Sequence, residues 1–538
     1  MYGIRYPMVR SEGDRFWKKY CGFLDLSLNE FMEIQQTLLL QQLQRLADCP
    51  LGKKLTGKKV PKSLDEFRNS VPLTSYADYL PELEKGNGHC LHSKPYVWAH
   101  TSQAGGSFKK VPYTRAFYDR LLDDLMAIFI LSCSNEKGCS SIVDGDRVLF
   151  NVAPSPYLSG ILASGASERF NLTPVMSPKS HDSMDFKDKM AQGFEVSLRT
   201  GVDILIAMTS VLVKMGRDFD KRSRKSGLRK LISHPSIFYR LIRAKLLSKL
   251  HRRNILPKDL WPVKAVIGWG MDTSIYRQEV CKYWGMVPYE FHACTEAGII
   301  AMQSWNKKDM TFVPYSNFLE FIPESELLPS NGSGSHQPRT VLISEVKPGE
   351  RYELVITGFH GQPLIRYRLG HLIKITSLQD EEAQVYLPQM VFEGRVDDLL
   401  DIAGFTRLSE KTVAQAIANA GLDHAEWSIR KEAKNGKSTL HLYIELDNRL
   451  KPVEVASTLH QELKKIDCFY SDLDTMMDIR PLEITLLRPG TFSDYYEETR
   501  KLGMELPLRK PSRMNASDDI IDELVRLSAR GTPEKVKI

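Results

Sequence analysis

The stretch that decides the fold runs from residue 352 to residue 398 and holds three short segments in a fixed order. The first, YELVIT at 352–357, predicts a strand. The second, IRYRLG at 365–370, predicts another strand in which Arg366 and Arg368 alternate with apolar residues. The third, GRVDD at 394–398, lies where the pattern of the chain changes, so we predict a domain boundary there.

Composition and length predict a globular protein with more than one domain. The chain has 538 residues, too many for one ordinary core, with 42% hydrophobic and 26% charged residues. Helix and strand patterns alternate, which predicts the α/β class. Beyond residue 394 a strand at 440–446, a helix at 453–465 and a strand at 482–486 predict a small α+β unit. We therefore expect a large α/β domain at residues 1–393 and a smaller domain at 394–538.

Targeting signals and cysteine spacing both favour a cytoplasmic protein. No apolar run is long enough to cross a bilayer, and residues Arg10 to Arg15 interrupt any signal peptide. The eight cysteines are scattered, with no C-x-x-C pair. We therefore expect reduced thiols and neither a zinc site nor a disulfide framework.

Positive charge is concentrated between Arg217 and Arg253, where thirteen Lys and Arg residues stand against two Asp; the excess there exceeds the net charge of +7 for the whole chain. We predict a helix with one apolar face, formed by Leu241, Ile242, Ala244, Leu246, Leu247 and Leu250. We favour a solvated basic surface. Peripheral contact with an anionic membrane, or with the phosphates of a nucleotide or coenzyme A, is the alternative. Aromatic residues are too few to indicate nucleic-acid binding.

A glycine-containing segment, TSQAGGSFK at 101–109, is the first candidate for chemistry. Backbone N–H groups of such a loop can approach phosphate oxygens, and the ammonium of Lys109 can neutralise them. An ordinary connecting loop is the alternative interpretation.

This segment resembles the phosphate loop of the adenylate-forming enzymes. Residues on matching positions are Thr101, Ser102, Gly106, Lys109 and Pro112, whereas Gln103, Ala104 and Gly105 depart from the usual glycine and hydroxyl residues. The resemblance implies that Thr101, Ser102, Gly106 and Lys109 hold the phosphates of ATP.

A second motif, HACTEAG at 292–298, resembles the Tyr-x-x-Ser/Thr-Glu motif of the same enzymes. The resemblance implies that His292, in place of the tyrosine, lies near the adenine. It also implies that Thr295 contacts the phosphate and that Glu296 binds Mg²⁺, since a carboxylate beside a nucleotide phosphate needs a metal ion to screen it. For His292 alone, a satisfied core residue is the alternative.

A third motif, IRYRLGH at 365–371, resembles their Arg-Tyr-Arg-x-Gly-Asp. His371 stands in place of the aspartate that accepts hydrogen bonds from the ribose, a task that a neutral imidazole performs with one nitrogen. The resemblance places Arg368 among the nucleotide contacts and Arg395 near the ribose, with Asp397 as the hinge of the C-terminal domain. Pairing of Arg366 or Arg368 with a surface acid is the alternative.

The end of the chain resembles one branch, the auxin-responsive acyl-acid amido synthetases (the Gretchen Hagen group). Two segments carry this resemblance, RPGTF at 488–492 and LRKPSR at 508–513. Two earlier segments, VPLTSYADY at 71–79 and VPYSNFLEFIP at 313–323, favour the same branch. Lys510 matches the lysine that stabilises charge between the acyl carboxylate and the α-phosphate, and Arg509 could take that part.

The resemblance implies a large N-terminal adenylate-forming α/β domain and a small mobile α+β C-terminal domain, with ATP and Mg²⁺ at their junction. The implied activity is ATP-dependent activation of a carboxylic acid to an acyl-adenylate, followed by transfer to an amine or amino acid. The implied catalytic residues are Lys510, Glu296 and Lys109. Two alternatives remain: a coenzyme A ligase of the phenylacetate–coenzyme A ligase type, with a thiol acceptor, and a non-catalytic relative that binds an acyl acid or nucleotide.

Overall fold

The computed structural model describes residues 13–57, 59–80, 82–83, 88–102, 108–177, 186–225, 235–270, 273–327, 337–402, 406–434, 437–446, 450–467, 470–471, 482–501 and 511–529. Two compact units are present. The described residues up to Thr101 and from Phe108 to Phe392 form the larger unit; those from Glu393 onward, together with Ser102, form the smaller one. Both units combine helices with sheets, so the predicted α/β class is confirmed.

The helices of the larger unit begin before its first strand, which follows the fourth of them. They are α1 (Gly13–Cys21), α2 (Leu28–Ala47), α3 (Pro50–Thr56), α4 (Leu64–Ser70), α5 (Arg115–Ser132), α6 (Leu158–Arg169), α7 (Phe186–Thr200), α8 (Thr209–Lys225), α9 (Pro235–Leu250), α10 (Pro257–Leu260) and α11 (Thr273–Trp284). Helix α5 forms the centre of the core, because its residues from Leu125 to Ser132 are all buried.

The strands of the larger unit are β1 (Val97–Ser102), β2 (Phe108–Tyr113), β3 (Ser134–Glu136), β4 (Cys139–Ser140), β5 (Arg147–Asn151), β6 (Thr173–Pro174), β7 (Ile204–Met208), β8 (Ala265–Trp269), β9 (Tyr289–Cys294), β10 (Gly298–Gln303), β11 (Met310–Phe312), β12 (Asn317–Pro323), β13 (Arg351–Gly358), β14 (Tyr367–Ser377) and β15 (Gln389–Arg395). Eleven of them form one sheet in the order β12-β13-β14-β15-β11-β10-β9-β8-β7-β5-β6. Strands β5, β7 and β8 are short and almost entirely buried.

The direction of the strands changes at β9. Strands β5 to β9 pair in parallel through helical connections, whereas β9 pairs with β10, and β10 with β11, antiparallel. Strands β12, β13 and β14 are also antiparallel neighbours. The strand predicted at 352–357 lies within β13. The strand predicted at 365–370 starts later than expected, at Tyr367 of β14, which pairs antiparallel with β13 with a register shift between Glu353 and Val355.

The smaller unit contains the β-α-β order predicted for it. Its elements are β16 (Leu400–Ile402), β17 (Thr406–Leu408), α12 (Glu410–Asn419), β18 (His424–Lys434), β19 (Lys437–Leu446), α13 (Pro452–Ile466), β20 (Leu482–Leu487), α14 (Thr491–Lys501) and α15 (Asp518–Ala529). Strands β18 and β19 are antiparallel, and β20 adds in parallel to β19 after the helical crossover α13. That arrangement is a three-stranded sheet covered by helices, as an α+β domain requires.

The predicted single apolar face of the basic segment is wrong. In α9, Leu241 and Ala244 are buried against the larger unit, but Ile242, Leu246 and Leu250 are 42%, 64% and 74% exposed. The apolar residues therefore lie on two opposite sides of this helix. Periodicity alone could not separate them, because both sets recur at helical spacing. Among the described residues, no helix is both long and apolar enough to cross a bilayer.

Candidate active site

Strand β2 carries Lys109 toward the core of the larger unit. Alternate residues of a strand share a face, so Lys109 lies on the same side as Val111 and Tyr113. Both of those residues are fully buried. The side chain of Lys109 is consequently only 14% exposed, although it ends in a charge. Thr101 is half-buried in β1, Ser102 ends that strand, and Gly106 lies outside the described residues.

The tight connection between β9 and β10 places Thr295 and Glu296, which are 8% and 9% exposed. Gly298 closes this connection with a φ of +69°, a conformation that favours glycine. A Cβ at Gly298 would also lie 3.0 Å from side-chain carbons of Phe117 and Leu121 in α5. The Tyr113 hydroxyl donates a hydrogen bond to the Thr295 carbonyl at 2.6 Å, which fixes the turn to the strand that carries Lys109.

The two predicted phosphate and metal contacts meet as an ion pair. The Lys109 ammonium lies 3.1 Å from a carboxylate oxygen of Glu296 and donates a second hydrogen bond, at 3.2 Å, to the Tyr367 hydroxyl. The ring of Tyr76 lies 5.6 Å from the same ammonium. Burial raises the pKa of Tyr367, so its hydroxyl stays protonated. The candidate site is therefore a partly buried cluster of one cation, one anion and two aromatic rings.

Tyr367 and Tyr76 are site residues that the motif analysis did not single out. Both lie in segments quoted for the family resemblance, VPLTSYADY and IRYRLGH. The tyrosine in each segment was the only sign in the sequence that it contributes to the site. The backbone explains their proximity, because the N–H of Thr74 donates a 2.8 Å hydrogen bond to the carbonyl oxygen of Arg366. The Tyr76 hydroxyl accepts a 2.7 Å hydrogen bond from the backbone N–H of Lys110. The segment around Thr74 thus ties β2 to the start of β14.

Arg366 is held within the protein on every side. Its guanidinium forms a bidentate pair with Glu320, at 3.0 and 2.9 Å, and donates to the carbonyl oxygens of Arg68 and Val71. Its φ of +43° is strained for a residue with a side chain, and these contacts hold it there. The alternative that an arginine of this motif pairs with an acid therefore applies, although Glu320 is buried rather than at the surface.

Arg368 also pairs with an acid. Its Nε and Nη2 atoms donate to Glu353 at 3.1 and 2.6 Å. Glu353 is 2% exposed at the side chain, but that of Arg368 is 38% exposed, so part of the guanidinium faces outward. A nucleotide contact by Arg368 stays a prediction.

The two histidines that replace motif residues contact each other. Nε2 of His292 lies 3.1 Å from Nδ1 of His371, so one ring donates the single proton and the other accepts it. The His292 ring stacks on Phe392 with centroids 4.5 Å apart, and the His371 ring meets Phe392 edge-on. Burial lowers the pKa of His292 to about 4, which keeps that imidazole neutral near pH 7.

Four further predicted residues remain. Arg395 is exposed at the end of β15. The side chain of Asp397 and the residues Arg509 and Lys510 lie outside the described part of the chain.

The donor set fits Mg²⁺ only together with a nucleotide. Within the described residues, no group of three or more His, Cys, Asp or Glu side chains could hold a metal ion. Mg²⁺ usually binds through one or two carboxylates plus substrate phosphates and water. Glu296 supplies one such carboxylate, and the neighbouring ammonium of Lys109 suits a phosphate.

Three domains of one family match the sequence. The GH3 family N-terminal domain matches residues 22–183, the central domain matches 310–395, and the C-terminal domain matches 409–518. The first and second of these include Lys109 and His371, respectively.

Curated relatives are similar at low identity. The indole-3-acetic acid-amido synthetase GH3.5 of Arabidopsis thaliana is 24% identical, with 91% of this chain and 90% of that protein covered. The jasmonoyl–L-amino acid synthetase GH3.5 of Oryza sativa subsp. japonica is 27% identical, but the match spans 36% of this chain and 34% of that protein.

Solved structures are similar over almost the whole chain. The AtGH3.15 acyl acid amido synthetase in complex with 2,4-DB has a TM-score of 0.66 at 19% identity, with 96% of each chain covered. A 2-hydroxyisobutyryl-CoA ligase has a TM-score of 0.59 at 15% identity, with 93% of this chain and 92% of that one covered. With all three of its domains matched in order and the fold of the adenylate-forming ligases, the chain belongs to the GH3 family.

Proposed function

We propose that this protein activates a carboxylic acid with ATP to an acyl-adenylate and then transfers the acyl group to the amine of an amino acid. The observation that carries the proposal is the ion pair between Lys109 and Glu296. It joins the segment that resembles a phosphate loop to the segment that resembles a Thr-Glu motif, within a chain of the GH3 family.

In the first half-reaction, a carboxylate oxygen of the acid attacks the α-phosphorus of ATP, and pyrophosphate leaves. Negative charge is present on both reactants, so their approach needs fixed cations. Lys109 would neutralise the negative charge of phosphate oxygens. Lys510 would stabilise the charge that develops between the acyl carboxylate and the α-phosphate. Mg²⁺ held by Glu296 would supply further neutralisation of the phosphates.

Hydrogen-bond donors and rings would position the nucleotide. Thr101, Ser102, Gly106 and Thr295 would donate to phosphate oxygens, a role suited to hydroxyl and backbone N–H groups. His292 would lie near the adenine, with His371, Arg368 and Arg395 near the ribose. The neutral state of His292 supports this assignment, because a neutral ring can pack against a base without a counter-charge.

In the second half-reaction, the nitrogen of the acceptor attacks the acyl carbonyl carbon and loses a proton, and AMP leaves. An amino acid is the acceptor that we favour, by analogy with the amido synthetases. Coenzyme A, which would bring a thiol instead, is the second candidate, because the same fold occurs in a 2-hydroxyisobutyryl-CoA ligase. A cytoplasmic location, expected from the cysteine spacing, would suit either acceptor.

The decisive experiment is ATP–pyrophosphate exchange with a panel of carboxylic acids. The panel starts from indole-3-acetate, jasmonate and 2,4-DB, because these acids appear with the relatives. We expect exchange with at least one acid, dependent on Mg²⁺. Well-folded protein that exchanges with none of a wide panel, while still binding ATP or an acid, would instead identify a non-catalytic binding relative.

The acceptor is then identified with the acid that supports exchange. Amino acids and coenzyme A are supplied in separate reactions, and the product is weighed by mass spectrometry. We expect an amide with an amino acid. A thioester with coenzyme A and no amide would overturn the second half of the proposal and leave the first intact.

A further inference from the structure

Helix α9 has an apolar stripe that faces away from the protein. Tyr239, Ile242, Leu246 and Leu250 follow one another at intervals of three, four and four residues, so they line one side of the helix. They are 71%, 42%, 64% and 74% exposed. Over a helix of 16 residues, the stripe extends for most of its length of roughly 24 Å.

The opposite side of α9 attaches the helix to the larger unit. Ile237, Leu241 and Ala244 are 2%, 9% and 0% exposed and pack in the core beneath the parallel strands. These residues are sufficient to attach α9 to the core of the larger unit. The exposed stripe is additional apolar surface that the fold of the larger unit does not use.

Positive charge borders the stripe on both sides. At 100° per residue, Arg243 lies on one flank of the stripe, and Lys245 and Lys249 lie on the other. None of the three has an ion-pair partner in the part of the chain that the structure describes. Between Pro235 and Arg253 the sequence contains no Asp or Glu. The surface is therefore apolar along its centre and uniformly cationic at its edges.

We propose that α9 docks on an anionic lipid membrane. The stripe would enter the boundary between headgroups and acyl chains, and Arg243, Lys245 and Lys249 would contact lipid phosphates. An exposed apolar side bordered by Lys and Arg is the pattern of helices that lie in a membrane interface. A second copy of this chain fits less well, because a twofold contact through this face would bring its cations against the same cations.

The test is sedimentation of the full-length protein with vesicles. One set contains phosphatidylcholine with about one third phosphatidylserine, and the other contains phosphatidylcholine alone. We expect binding to the anionic vesicles, weaker binding to the neutral ones, and a decrease in binding as salt screens the lipid charge.

Two double variants separate the apolar and the cationic contributions. Leu246→Ser with Leu250→Ser should weaken binding to anionic vesicles at least about fivefold. Lys245→Ala with Lys249→Ala should weaken it roughly twentyfold, since each basic residue near the surface contributes about a factor of five. Val453→Ser is the matched control, because Val453 of α13 is as exposed as Leu250, at 74%.

The outcomes decide between lipid and other occupants. The melting temperature and the ATP–pyrophosphate exchange of each variant should equal those of the wild type, because the replaced side chains are exposed. Absence of binding to the anionic vesicles would overturn the proposal, and so would binding by both double variants that equals that of the wild type. So would a wild-type dimer that the leucine variant converts to monomer, since the stripe would then be a contact between two copies.

Discussion

Lys109 and Glu296 are 187 residues apart in the sequence, yet their charged groups lie 3.1 Å apart. Their side chains are 14% and 10% exposed. A partly buried pair of this kind stabilises the fold only while both charges are present. An incoming phosphate would compete with Glu296 for the Lys109 ammonium, so binding of a nucleotide and rearrangement of this pair should be linked.

Replacement of Lys109 by alanine should reduce adenylation by about two orders of magnitude, because one fixed cation that faces developing negative charge contributes about that much. ATP–pyrophosphate exchange measures the effect. Lys110→Ala is the control, since Lys110 is the next residue of β2 and its side chain points to the other face. Exchange kinetics that are unchanged in Lys109→Ala would remove this residue from the site.

Replacement of Glu296 by glutamine separates its structural role from its catalytic one. Lys109→Ala alone leaves a buried carboxylate without its cation and should lower the free energy of unfolding by roughly 2 kcal/mol. Adding Glu296→Gln should restore most of that stability, because the amide carries no charge, but it should not restore exchange. Urea unfolding and exchange are measured on both variants. Recovery of exchange in the double variant would contradict a metal-binding role for Glu296.

The sequence could predict the segments that contribute to the candidate site, but not most of the side-chain contacts within it. Lys109 and Glu296 were predictable, because each lies in a motif whose residue types indicate its chemistry. The contact between His292 and His371 was not, since it depends on the packing of β9 and β14 around Phe392. The exposure of Leu246 and Leu250 was also hidden, because two apolar sides of one helix leave the same periodic signal.

Arg366 should prove to be a structural residue. It is 6% exposed and pairs with Glu320, which is 1% exposed. Arg366→Met therefore leaves a buried carboxylate without its partner and should cost roughly 3 to 5 kcal/mol of stability. Arg368→Met should cost less, because the Arg368 side chain is 38% exposed. Urea unfolding compares the two. Wild-type stability with lost exchange in Arg366→Met would indicate a direct role in catalysis instead.

The buried imidazole of His292 should make the fold sensitive to acid. Its pKa is about 4 in the folded protein and 6.5 for an unperturbed histidine, so the unfolded chain binds a proton that the folded one does not. Stability should therefore fall as the pH decreases below about 6.5, by about 2 kcal/mol at about pH 5 from this group.

His292→Phe tests this, because phenylalanine keeps a ring against Phe392 and cannot titrate. The difference in unfolding free energy between the variant and the wild type should move in favour of the variant as the pH decreases. The same replacement at His251, an exposed histidine, is the control. Parallel profiles for the wild type and His292→Phe would show that His292 does not cause the acid loss.

Replacement of His371 by aspartate restores the acceptor that the adenylate-forming enzymes carry at this position. A carboxylate accepts hydrogen bonds more strongly than a neutral imidazole, and protonation of an imidazole removes its acceptor altogether. We therefore expect His371→Asp to bind ATP several-fold more tightly at about pH 7 and to lose less affinity at acid pH. Isothermal titration calorimetry at both pH values measures this.

The same variant, His371→Asp, should also change the pKa of the neighbouring His292. His371 presents Nδ1 at 3.1 Å from Nε2 of His292, so an aspartate here would bring a negative charge close to that ring. The charge should raise the pKa of His292 from its lowered value, since it favours the imidazolium form. An NMR titration of His292 reports this separately from ATP binding. A rise in the pKa of His292 without a change in ATP affinity would mean that the carboxylate interacts with His292 and not with ATP. His371 would then be a packing residue, and this result would support a non-catalytic role for the protein.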